Sequence, residues 1–183
     1  VRVAQDCQRL DGIFTSSWSR DEAYEVWRLG EAIERADMTT RVIGVRAATM
    51  LTGEGKADYA EVQWMGLLRS LSALQMYQRA MHQPITPAPV LWFLLTHRPF
   101  PRSVAHCVAR IREAVERLPG ADPVLPAVEV LEREVADVVE ELRQTGSHEI
   151  DGHLLDSLMD RIQLGLIQVD RLVNEHLFGH AAR

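Results

Sequence analysis

An all-α, antiparallel multi-helix bundle of about six helices is the fold this sequence predicts, on three observations. Apolar residues recur at steps of three and four along most of the chain, the period of one helix face. No stretch alternates apolar and polar residues at period two, so no strand competes. The breaks between periodic stretches are short, which makes successive helices antiparallel neighbours.

The elements follow in order. Residues 20 to 51 place Val26, Leu29, Ile33, Ala36, Thr40, Ile43, Ala47 and Met50 on one packed face. TGEGKAD, residues 52 to 58, ends that helix with two glycines. Asp58 and Glu61 form a D-x-x-E capping box and open a helix to about Met81. Its stripe is Trp64, Leu67, Leu68, Leu71 and Leu74. Thr86-Pro87 reads as an N-cap with proline in the first turn, starting a short helix through Leu95. Pro99 stops it, because the residue before a proline avoids helical backbone.

A helix from about Arg102 to Leu118 carries Val104, Val108, Ile111, Val115 and Leu118. Pro119-Gly120 ends it, and Asp122-Pro123 starts another to about Arg143. That one turns Leu125, Val128, Leu131, Val135, Val138 and Leu142 inward. The last helix, about 151 to 177, buries Leu154, Leu158, Ile162, Val169 and Leu172.

A second face of residues 20 to 51 raises the functional question. Ala23, Trp27, Gly30, Glu34, Asp37, Arg41, Gly44, Ala48 and Leu51 share it, with small or aromatic ends and an ionic middle. Glycine within a helix costs about 1 kcal/mol relative to alanine. Gly30 and Gly44 therefore predict close approach of another element or a ligand. Glu34, Asp37 and Arg41 are then expected to be partly buried, which requires pairing and hydrogen bonds. Two readings stay open: an ion network that fixes helix register, or a polar cleft in which Glu34 and Arg41 meet a ligand.

Bulk properties exclude several classes. The formal net charge is −6, against the basic surface that phosphate contact needs, so no nucleic acid is expected. The longest strongly apolar run, PVLWFLL at residues 89 to 95, is too short to span a bilayer, and no polybasic run marks a membrane surface. The start, VRVAQDCQRL, lacks the features of a signal peptide, so a cytoplasmic location is expected. The first residue is Val, and the true start is expected upstream. Cys7 and Cys107 make neither a disulfide framework nor a thiolate metal site.

Other constellations point in weaker directions. His148, Glu149 and His153 gather donors suited to a divalent metal, but they flank a helix start where Asp151 is an ordinary cap. None of the seven histidines follows a glutamate by three residues, so the di-iron bundle pattern is absent and no metal is expected. His106 and Cys107 are adjacent on a helix and point apart, so Cys107 reads as a small core residue. GEG at residues 53 to 55 lacks the rest of a phosphate loop, and no cofactor is implied. Trp92-Phe93 belongs to the core or, if its helix is exposed, to a docking patch. In RPFPRS, Arg98 and Arg102 flank a stiff connection at a helix start, where an anion is one candidate occupant and solvated arginines the plainer reading.

Three blocks in fixed order, LGEAIERADMTTRVIGVR, VQWMGLLRSLSALQMYQR and ITPAPVLWFLLTHRPFPRSV, resemble the bacterial alpha-E family. The resemblance runs from about Trp18 to Phe178. That family is all-helical and characterised by a Glu-Arg pair, which falls here on Glu34 and Arg35. By the same resemblance Asp37, Arg41, Trp64, Arg69, Ser72 and Tyr77 lie in the flanking blocks. The usual member is longer, with a related Glu-Arg segment in an earlier half. Residues 1 to 183 are therefore expected to form a single helical domain lacking an upstream half, or one whose missing half another chain supplies. Alpha-E domains typically occur beside, or fused to, circularly permuted ATP-grasp proteins and transglutaminase-like peptidases. The resemblance thus implies a system that makes or trims amide or peptide bonds.

Two functions follow as expectations. The first is an interaction or accessory role, as a homo-oligomer or in complex with an ATP-grasp or transglutaminase-like partner. The second is a small-ligand or catalytic domain drawing on Glu34, Arg35, Asp37 and Arg41, with Arg69, Ser72, Tyr77, Arg98 and Arg102 as further ligand-binding candidates. Whether the domain is an enzyme stays open.

Overall fold

The computed structural model describes residues 2–52, 56–145 and 150–179. Among them are eight α-helices and no strand. They are α1 (Arg2–Ser17), α2 (Glu22–Thr52), α3 (Lys56–Ser70), α4 (Leu74–Met81), α5 (Pro87–Thr96), α6 (Val104–Arg117), α7 (Leu125–Thr145) and α8 (Gly152–Val173). A 3-10 turn at Asp122–Val124 leads into α7, and a π turn at Asn174–Phe178 follows α8.

Four helices form the body. α2 packs on α6 and α8, and α7 packs on the same two, which closes a ring. Cross-contacts give the directions. Glu25 pairs with Arg117, and Thr39 donates to the carbonyl of Arg102, so α2 and α6 run antiparallel. Leu131 meets Gly165 while Glu141 meets Arg161, so α7 and α8 do too. The apolar stripes read from periodicity form the core. Val104, Val108, Ile111 and Val115 of α6 lie in it with Val128, Leu131, Val135 and Val138 of α7, and with Leu158, Ile162 and Val169 of α8. Gly165 is required where it stands: a Cβ there would lie 2.9 Å from Leu131 Cδ1.

α5 is apolar almost all round, as a buried helix must be. Val90, Leu91, Phe93, Leu94 and Leu95 are buried, and only Trp92 turns outward, 47% exposed. Phe93 stacks on Phe100 and His97 and meets Tyr77 edge-on. Tyr77 is buried and its hydroxyl donates to the Pro84 carbonyl at 2.7 Å. Burial raises its pKa, so it stays a neutral donor.

Three features depart from the sequence reading. The stretch from 58 to 81 is not one helix. It breaks after Ser70, where Ala73 N–H donates to the Leu68 carbonyl and Ser72 N–H to that of Arg69. Those two bonds make a Schellman motif, and Ser72 takes its left-handed position at φ 55°. Glycine normally marks that position; here serine hides the stop. Secondly, α3 already begins at Lys56, so Asp58 lies inside its first turn and does not precede it as a cap.

Thirdly, α1 precedes the first helix read from the pattern. It joins the body at one end, through Phe14 against Trp18 and Trp27 and through Trp18 against Tyr24. Arg20 closes that end by donating to the carbonyls of Phe14 and Thr15. Val3, Leu10 and Ile13 on α1 are exposed.

Candidate functional site

The Glu-Arg dipeptide lies in the middle of α2. Successive helix residues are rotated by about 100°, so neighbours in sequence face different surroundings. Glu34 points outward and is exposed. Arg35 turns toward α6, three-quarters buried, and donates to Glu31 Oε1 at 2.5 Å. The two halves of the dipeptide therefore lie on different faces of α2. Arg41 is exposed, with 55% of its side chain accessible, and donates from Nε to Asp37 Oδ2 at 2.6 Å. Asp37 is partly buried, and Glu34 acts on Arg41 only through its field.

Glu34 and Arg41 thus lie at the surface with Asp37 half-buried between them, so the expected partial burial and pairing hold for Asp37 and the burial fails for the other two. The reason is the stagger of neighbours. α6 and α8 cover the stripes on either side, through Ala32, Ala36, Thr39, Thr40 and Ile43, and leave this one outside. Of the two glycines, Gly44 does face a close neighbour, with Asp156 Oδ1 3.3 Å from where a Cβ would sit. Gly30 faces open space.

Arg35 instead belongs to a small cleft between α2 and the first turns of α6. Arg28, Glu31 and Arg35, spaced at i, i+3 and i+7, form one wall. His106 and Arg110, one turn apart on α6, form the other, with Pro101 and Cys107 at the base. The volume is about 70 Å³. Ser103 caps α6 by accepting from His106 N–H, and His106 Nδ1–H donates to the Arg98 carbonyl at 2.7 Å, which fixes the ring. Arg110 pairs with Glu113. Cys107 Sγ lies 3.5 Å from the Pro101 carbonyl, and burial pushes the thiol up to about 11, so it stays protonated. It is the small core residue its position suggested.

On the opposite side of α6 lies an apolar trough. One basin, about 400 Å³, is walled by Met81, Leu91, Trp92, Leu95, Leu142 and Ile150. The next, about 380 Å³, lies between Ala105, Val108 and Ala109 of α6 and Val135 and Ala136 of α7. Leu95 and Val139 line both, so the two basins adjoin.

The remaining candidates do not converge. Arg69 and Ser72 are exposed, and Ser72 serves as the helix stop. Tyr77 is committed to Pro84 inside the core. Arg98 lines the second basin of the trough, where a hydrogen bond from Arg112 lowers the pKa of Glu132 and the field of Arg98 adds to it. Arg102 is exposed beside the start of α6. Of the metal candidates, His148 and Glu149 lie outside the described residues, and His153 is exposed. Asp151 caps α8 by accepting from Leu154 N–H at 2.8 Å. Among the described residues no group of three or more His, Cys, Asp or Glu is placed to hold a metal ion. No described helix is long and apolar enough to cross a membrane.

The fold and the placement of these side chains define an all-helical domain whose Glu-Arg dipeptide straddles one long helix. The Alpha-E family model, described as a predicted alpha-helical domain with a conserved ER motif, matches residues 1–178, and the chain belongs to that family. No curated protein and no solved structure matches it.

Sequence reasoning did not single out Arg28, Glu31 or Arg110, and it weighed His106 only beside Cys107. The i, i+3, i+7 stripe on α2 and the i, i+4 pair on α6 were readable separately. Nothing short of the α2–α6 packing places them opposite one another.

Proposed function

We propose that the protein is an accessory interaction module of a cytoplasmic bacterial system that forms or trims amide or peptide bonds. It docks an apolar helical segment of an ATP-grasp or transglutaminase-like partner along the trough beside α5. The observation that carries this reading is the trough itself, two adjoining basins with the indole of Trp92 half-exposed at the edge. Aromatic anchors in such grooves supply most of the binding energy when a helix lies in them. The family resemblance supports the kind of partner.

Co-expression with the ATP-grasp or transglutaminase-like protein of the same gene neighbourhood, followed by size-exclusion with light scattering, tests it. A stable complex should form with the wild type and be lost in Trp92→Glu. A complex that survives Trp92→Glu overturns the trough as the docking site. A chain that elutes alone, as a monomer or as a homo-oligomer, overturns the partner reading.

A further inference from the structure

We propose that the cleft between α2 and α6 binds the head of a small oxyanion, a carboxylate or a phosphate, held by Arg28, Arg35 and Arg110. This inference is independent of the docking role, since the cleft and the trough lie on different sides of α6.

Charge supports it first. Glu31 neutralises Arg35 and Glu113 neutralises Arg110, while Arg28 has no carboxylate partner among the described residues. Its recorded contact is the Tyr24 ring, 5.7 Å from the guanidinium carbon. The cleft therefore holds one more guanidinium than its carboxylates can offset. The Cys107 thiol adds no negative charge, because it is protonated. The helix dipole of α6 adds to the sum: its positive end is at Val104, and the base of the cleft lies in its first turns.

Size supports it next. About 70 Å³ equals the liquid volume share of roughly two waters. That accommodates a carboxylate or phosphate head, with any larger part of the ligand left outside the cleft. Guanidinium groups present paired N–H donors that match such oxyanions. Two of them come from one stripe of α2 and the third from α6, so the ligand would bridge the helices.

The test uses the full chain and two probes, inorganic phosphate and acetate, titrated by calorimetry and by NMR of the arginine Nε–H signals. Saturable binding of at least one probe is expected, and the tighter probe identifies the head group. Arg28→Gln, which breaks no ion pair, should weaken it about tenfold, as loss of one charge-assisted hydrogen bond does. Glu31→Gln frees Arg35 and should tighten it several-fold. Arg9→Gln, at an exposed position on α1, should leave it unchanged. Binding of neither probe overturns the proposal, and so does binding that Arg28→Gln leaves intact in a protein of wild-type circular dichroism.

Discussion

The two sides of α6 make an instructive contrast. Toward α2, its residues His106, Cys107 and Arg110 border a narrow cleft walled by guanidinium groups. Toward α5 and α7, its residues Ala105, Val108 and Ala109 border a broad apolar trough. One helix of ordinary amphipathic pattern carries both, and what differs is the neighbour. α2 offers an ionic stripe at i, i+3, i+7, and α5 offers a nearly uniform apolar cylinder. The ion pairs of the charged walls, Arg35 with Glu31 and Arg110 with Glu113, each stay within one helix, and the volume between them is small; the apolar walls border a larger space.

The sharpest way to break the contrast is to remove the support of the trough alone. Phe93→Ala deletes a fully buried ring that joins α4, α5 and the loop before α6, and should cost about 3–5 kcal/mol by urea denaturation. A loss below 1 kcal/mol would mean that α5 is not part of the cooperative core.

The cleft side can be probed through its thiol. With its pKa at about 11, Cys107 is ionised to roughly one part in a thousand at pH 8, and it is buried as well. A maleimide applied to native protein should label exposed Cys7 and leave Cys107 until denaturant is added. Mass spectrometry of the labelled peptides reads the outcome, and rapid modification of Cys107 would show that the base of the cleft opens.

Glu132 sharpens the comparison from the rim of the trough. Arg112 of α6 donates to both of its oxygens, at 2.8 and 2.6 Å, and holds this carboxyl below its ordinary 4.5. Glu132→Gln should cost about 1 kcal/mol at pH 7, a modest figure because the pair is partly solvated. A lowered pKa stabilises the fold above the unfolded value, and that gain is lost as pH falls through the folded one. The difference between wild type and variant should therefore shrink below pH 4.5, as read from denaturation midpoints across pH.

The smallest effect is expected on the outer face of α2. Glu34 is exposed and its side chain makes no hydrogen bond among the described residues, so Glu34→Gln should shift stability by less than about 0.5 kcal/mol. A large fall in melting temperature would assign it a structural role. Loss of partner binding or activity at unchanged stability would give the family dipeptide a function at the surface.

Much of the fold was legible because periodicity reports burial directly. Leu29, Ala36, Thr40 and Ile43 on α2 are buried as their spacing required, and the stripes of α6, α7 and α8 follow their residues. The elbow after Ser70 was not legible, because serine gives no sign that it will adopt a left-handed backbone. Nor was α1, whose Gly12 weakens the local signal while Val3, Leu10 and Ile13 stay exposed. The candidate site was legible only in part. The Glu-Arg pair was found, yet periodicity alone could not tell which of three stripes on α2 would stay uncovered. Arg35 went inward and Glu34 outward, and the cleft drew its other wall from a helix more than sixty residues away.

Ser72 leaves the molecule with unused room for improvement. A left-handed serine is disfavoured where glycine would be at ease, and its side chain is exposed and touches neither groove. Exchanging it for glycine offers a hardier starting protein in which disruptive changes at either groove could be measured before the chain unfolds. The joint that concealed itself from the sequence is thus also the most convenient place to reinforce the whole.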